Sequence, residues 1–138
     1  MEAREQNLRA IYDALARRDA ALMASLVGDG FEFHSSTGRR LGKADPYRGP
    51  EGVDEYMADL GELWTELRLI VSRFEHAGAL TFGAGQVWAR NRRILIDSPC
   101  AWIWEFAGAE DDSKPIRCEV FEDPSEGRAE YERRLADR

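Results

Sequence analysis

The chain has 138 residues, a length that suits one domain spanning 1–138 and a core that needs no disulfide or metal staples. Hydrophobic residues make up 43% and charged residues 33%, with 26 acids against 19 bases and a net charge of −7. That balance argues against a nucleic-acid partner and against an anionic membrane surface, both of which call for a basic face.

No apolar run approaches the roughly 20 residues of a membrane helix. The polar stretch Met1 to Arg9 does not read as a signal peptide. Cys100 and Cys118 sit in apolar, strand-like contexts and read as reduced thiols of a cytoplasmic protein. Four Trp, four Tyr and six Phe are many large rings for this length. Where they point is the main question.

Leu8, Ile11, Tyr12 and Leu15 follow the spacing of an amphipathic helix. Asp19 reads as the N-cap of a short second helix carrying Leu22, Met23 and Leu26, which Gly28-Asp29-Gly30 ends. Phe31 to Ser35 alternates as a first strand, and Ser36 to Gly49 reads as a loop. Pro50 opens a third helix with Val53, Tyr56, Met57, Leu60 and Trp64 on one face.

Beyond Thr65 the period changes to that of strands: Glu66 to Phe74, Thr81 to Arg90, Ile94 to Phe106 with a bend at Pro99, and Ile116 to Phe121. Glu110-Asp111-Asp112 reads as a solvated turn. Asp123-Pro124-Ser125-Glu126 has the form of a capping box for a last helix anchored by Tyr131 and Leu135. The order α-α-β-α-β-β-β-β-α predicts an α+β fold with a mainly antiparallel sheet.

Particular segments carry a family likeness: Tyr12-Asp13-Ala14-Leu15 with Arg18-Asp19, Phe31-Glu32-Phe33-His34, and Tyr47-Arg48-Gly49-Pro50-Glu51-Gly52-Val53. Ala101-Trp102-Ile103-Trp104 and Glu119-Val120-Phe121 complete it. In this order and spacing the chain resembles the SnoaL-like branch of the nuclear transport factor 2-like superfamily. The resemblance implies a cystatin-like fold, a cone-shaped α+β barrel of curved sheet wrapped around N-terminal helices, with a pocket at the open end. It also implies a homodimer formed through the outer sheet face. Members range from ketosteroid isomerases, polyketide cyclases and epoxide hydrolases to non-catalytic binding and assembly proteins, so the fold does not name the function.

The isomerase likeness requires a Tyr in the first helix, a basic Asp at the end of the first strand and a protonated Asp on a later strand. Those positions fall here on Ile11, Ser35 and Ala101 or Trp102, so the isomerase groups are missing. The acid–base candidates are His34, Glu119 and Asp97, with Arg117 two residues from Glu119 on the same strand face. No metal-ligand spacing and no phosphate loop appears, so no metal and no cofactor is expected.

The expected pocket residues are Tyr12, Phe33, Ser35, Tyr56, Trp64, Trp88, Trp102, Trp104 and Arg117. Trp88 shares a strand face with Phe82 and Gln86, and these rings are expected to fill or line the interior of the cone. An apolar, ring-lined pocket with a few polar groups suits a small, largely apolar, ring-containing molecule. Proton-transfer chemistry on such a molecule, or a non-catalytic assembly role, are the alternatives.

Overall fold

A computed structural model describes residues 2–138. It opens with α1 (Glu2–Arg17), whose Leu8, Ile11 and Leu15 are buried along the predicted stripe. A turn with Arg18 at φ 55° leads into α2 (Ala20–Leu26), where the Asp19 side chain accepts the Leu22 N–H as the sequence suggests. Next come β1 (Glu32–His34), α3 (Ser36–Arg40), β2 (Tyr47–Arg48) and α4 (Gly49–Leu63). The remaining elements are β3 (Glu66–Ala77), β4 (Leu80–Arg90), β5 (Leu95–Phe106), β6 (Pro115–Phe121) and α5 (Pro124–Ala136).

The segment read as a loop therefore contains a helix and a strand. Ser35 caps α3 by accepting the Thr37 N–H at 3.1 Å. Tyr47 Oη donates to Asp59 at 2.7 Å and Lys43 Nζ to the same carboxylate at 2.6 Å, which ties the connection to α4. Five- and two-residue elements are too short to show a period, and a partner on another helix holds this one in place.

The sheet runs β2-β1-β6-β5-β4-β3 and is open, with β2 and β3 at its edges; the expected barrel is a curved, unclosed sheet. Neighbours are antiparallel except β1 and β6, which run parallel, so the sheet is mixed. Curvature has a local source. β3 carries an irregularity between Val71 and Arg73, opposite Gly85. A Cβ at Gly85 would lie 1.9 Å from the Ile70 carbonyl oxygen, so only glycine admits this approach. Pro99 sits in the part of β5 that pairs with β4 alone, where a missing N–H is tolerated.

The sheet has two unlike faces. The inner face carries Trp102, Trp104, Phe106 and Cys118 against α1, α2 and α4. The outer face carries Leu80, Phe82, Ala101 and Ile103 beneath Tyr131 of α5. Gly127 lets α5 settle there: a Cβ would lie 3.0 Å from Ala101 Cβ. β4 alternates as the sequence predicts, but its sides are exchanged relative to expectation. The side bearing Gly83 and Val87 faces inward, because Tyr12 and Phe74 pack over Gly83. Phe82 and Trp88 face outward.

The acidic turn also does more than meet solvent. Asp111 accepts the N–H groups of Ala3 and Arg4 at 2.9 and 3.1 Å, a carboxylate satisfying donors that the first turn of α1 leaves open. Arg4 is fully buried beside it, over the Phe106 ring at 4.2 Å and donating to the Gly78 carbonyl at 2.8 Å.

Candidate functional site

Curvature of the sheet leaves space between its inner face and the helices. A cavity of about 420 Å³ lies there, bounded by β3–β6 on one side and by α3 and α4 on the other. Its walls are apolar: Phe33 from β1, Leu60 and Trp64 from α4 and its end, Leu69 from β3, and Trp102 from β5. These residues reach it because they occupy inward strand positions or the inner stripe of α4.

The α3 edge is polar. Ser35, Ser36, Thr37 and Arg40 all line it, and Tyr56 of α4 faces them. Burial pushes the Tyr56 hydroxyl up to about 12, although hydrogen bonding with Ser35 and Thr37 works in the opposite direction. Tyr56 therefore stays protonated and able to donate across the neutral range. Its ring lies against Phe33, with centroids 4.5 Å apart.

Arg40, Leu95 and Glu122 line the cavity while remaining exposed, so they mark its mouth. Arg40 Nη2 lies 3.4 Å from Glu122, and its guanidinium carbon is 5.9 Å from the Trp64 ring centroid. Cys100 also lines the cavity; burial pushes its thiol up to about 12, leaving it a neutral wall atom. Both cysteines are free and buried.

Of the residues expected in the pocket, Phe33, Ser35, Tyr56, Trp64 and Trp102 come together around this cavity. Trp104 and Tyr12 do not line it. They form buried core behind it: Trp104 Nε1 donates to Tyr12 Oη at 3.1 Å, and the Tyr12 ring meets Trp102 edge-on at 5.2 Å. Trp88 is on the outer face under the Arg68 guanidinium, whose central carbon is 5.0 Å from the ring.

The acid–base candidates lie elsewhere as well. His34 and Glu119 are register partners on the outer face. His34 Nε2 is 3.0 Å from Glu32, and Glu119 accepts from Arg134 at 2.5 Å while Arg117 lies 3.6 Å away. Asp97 reaches the rim of the cavity, yet it pairs with Trp88 and so shares the outer face; its carboxylate accepts from Gln86 Nε2 at 2.6 Å. Period-two alternation shows which residues share a face but not which face turns inward. That leaves Arg117 and Glu119 equally eligible for the pocket from sequence; His34 alternates away from Phe33 and would reach the pocket only through a strand-end bulge, whereas β1 keeps regular register with β6 through His34.

Sequence reasoning missed Thr37, Arg40 and Glu122. The first two lay in the supposed loop, and Glu122 lay beyond the last strand. Among the described residues, no group of three metal-ligating side chains converges.

A family model for the SnoaL-like domain matches residues 8–112. A solved nuclear transport factor 2-like protein of unknown function from Burkholderia pseudomallei K96243 is 18% identical, with a TM-score of 0.75 over 91% of this chain and 95% of that one. TerC, crystallised with polyporic acid, is 19% identical with a TM-score of 0.74 over 92% and 96%. A candidate SnoaL-like polyketide cyclase from Shewanella denitrificans OS-217 is 14% identical with a TM-score of 0.66 over 92% and 94%. At these identities the likeness is one of fold. Comparison with curated protein sequences finds no match.

Proposed function

The chain belongs to the SnoaL-like domain family, and from that premise we propose that it binds a small, largely apolar, ring-containing molecule in the cavity beside α3. The observation that carries this reading is the composition of the cavity itself. Flat rings from Phe33, Trp64 and Trp102 line the apolar walls, and one edge presents the hydroxyls of Ser35, Thr37 and Tyr56. Burying a ring against such walls is worth about 25 cal/mol per Å² of apolar surface removed from water. The hydroxyl edge orients an oxygen substituent, with Tyr56 as a donor.

The reading is one of binding because the expected proton-transfer groups His34 and Glu119 face away from the cavity and are engaged on the outer face. The compound crystallised with TerC and the cyclase assignment of the Shewanella protein describe those proteins. They make ring compounds the first class to test.

The test uses Trp64 and Trp102 as reporters. Neutral N-phenyl-1-naphthylamine should quench the protein's tryptophan fluorescence saturably and gain emission of its own. Val87→Trp, which fills the cavity from β4, should abolish this while leaving the circular dichroism spectrum unchanged. Absence of saturable binding to the wild type, or equal binding by the filled variant, overturns the proposal.

A further inference from the structure

Resting on that binding reading, we infer that the cavity selects ring compounds bearing an acidic group, and that Arg40 holds this anion by exchanging Glu122 for it. Thr37 and Arg40 are three apart on α3 and both line the cavity, so one face of a single helical turn presents a hydroxyl and a guanidinium side by side. The guanidinium sits at the mouth, between the Trp64 ring and water, where an apolar ring seated inside would project its polar end.

Its present carboxylate partner is poorly held. Arg40 and Glu122 approach to 3.4 Å, with side chains 36% and 58% exposed. Such a rim pair contributes little and is easily replaced by a bidentate oxyanion with better geometry.

Charge around the mouth is arranged for the same ligand. The protein as a whole is acidic, at −7. Trp64 separates the cavity from a shallow groove whose charged lining is Arg92, Arg93 and Glu62. Arg39, Arg92 and Arg93 make no salt bridge with any other described residue. In the groove beside Trp64, Arg92 and Arg93 outnumber Glu62, and this local excess of positive charge offsets the general repulsion of an anion. Within the cavity the carboxylate of Asp97 is turned to the outer face and bound to Gln86, so it does not oppose an anion inside.

The experiment compares two probes with one ring system: 8-anilino-1-naphthalenesulfonate and neutral N-phenyl-1-naphthylamine. Wild type is expected to bind the sulfonate more tightly. Arg40→Gln should weaken the sulfonate about tenfold, the loss of one charge-assisted contact, and affect the neutral probe far less. Glu122→Gln, which removes the competing carboxylate, should strengthen the sulfonate a few-fold relative to the neutral probe. Neutral binding that persists shows that each variant keeps its cavity. Sulfonate affinity that is unchanged in Arg40→Gln, or that falls in step with the neutral probe, overturns the inference. Failure of the neutral probe to bind wild type instead overturns the binding reading beneath it.

Discussion

Tyr12→Phe isolates one buried contact. It removes the hydroxyl that accepts the Trp104 indole N–H at 3.1 Å, in a site where Trp104 is fully buried and Tyr12 is 7% exposed. The ring stays, and with it the edge-on contacts to Trp102 and Trp104 at 5.2 and 5.7 Å, so no cavity opens. What is lost is a hydrogen bond, and what remains is a buried donor without an acceptor, costing about 1–3 kcal/mol. A loss of about 2 kcal/mol lowers Tm by roughly 6–8 °C in a chain of this length. Urea unfolding of wild type, Tyr12→Phe, Trp104→Phe and the double variant measures it. The Tyr12→Phe cost should shrink by about 1 kcal/mol or more once Trp104 is already Phe, because the orphaned donor is gone. Binding of N-phenyl-1-naphthylamine should not change, since Tyr12 does not line the cavity. Wild-type stability in Tyr12→Phe, or strictly additive costs, would refute the assignment of this pair to core.

Gly85→Ala should destabilise by more than about 2 kcal/mol, because the new Cβ meets the Ile70 carbonyl oxygen of a paired backbone; a neutral result by thermal melting would remove the bulge from the account of curvature. Hydrogen bonds from Arg133 and Arg134 lower the Glu130 carboxyl from 4.5 to about 2. A carboxyl depressed in the folded state stabilises above its unfolded value, and that contribution disappears as pH falls from about 4.5 to 2. Glu130→Gln should therefore lose less stability than wild type over that interval, and parallel acid-unfolding profiles would contradict this. If the protein forms the homodimer expected through its outer face, the strip left uncovered by α5, where Ile70 is 59% exposed, is the place for it. Ile70→Glu should then shift the sedimentation coefficient to that of a monomer; a monomeric wild type at micromolar concentration would dismiss the dimer.

Much of the architecture is written in local patterns. The stripe Leu8, Ile11, Tyr12, Leu15 and the Asp19 and Asp123 caps depend on spacing along a few residues, and each appears where that spacing puts it. The four long strands and the family likeness were legible for the same reason. Face sharing was also legible: Trp102 and Trp104 do lie together, as do Arg117 and Glu119.

Which face turns inward, and what meets across long separations, depends on how the elements pack. Alternation is symmetric, so Trp88 and Val87 were equally eligible for the interior until Tyr12 and Phe74 occupied the space over Gly83. The acidic turn became the cap of α1 because Asp111 meets residues 107 and 108 positions away. The cavity's polar edge was hidden for a related reason: α3 is held by Ser35 and by the Asp59 contacts, not by any period of its own. Local patterns along the chain already specify an α+β protein of the SnoaL-like kind, rich in rings. Only the fold sent Trp64 and Trp102 to a cavity, Trp104 to the core and Trp88 to the outer face, because inside and outside are relations between elements and not properties of any one of them.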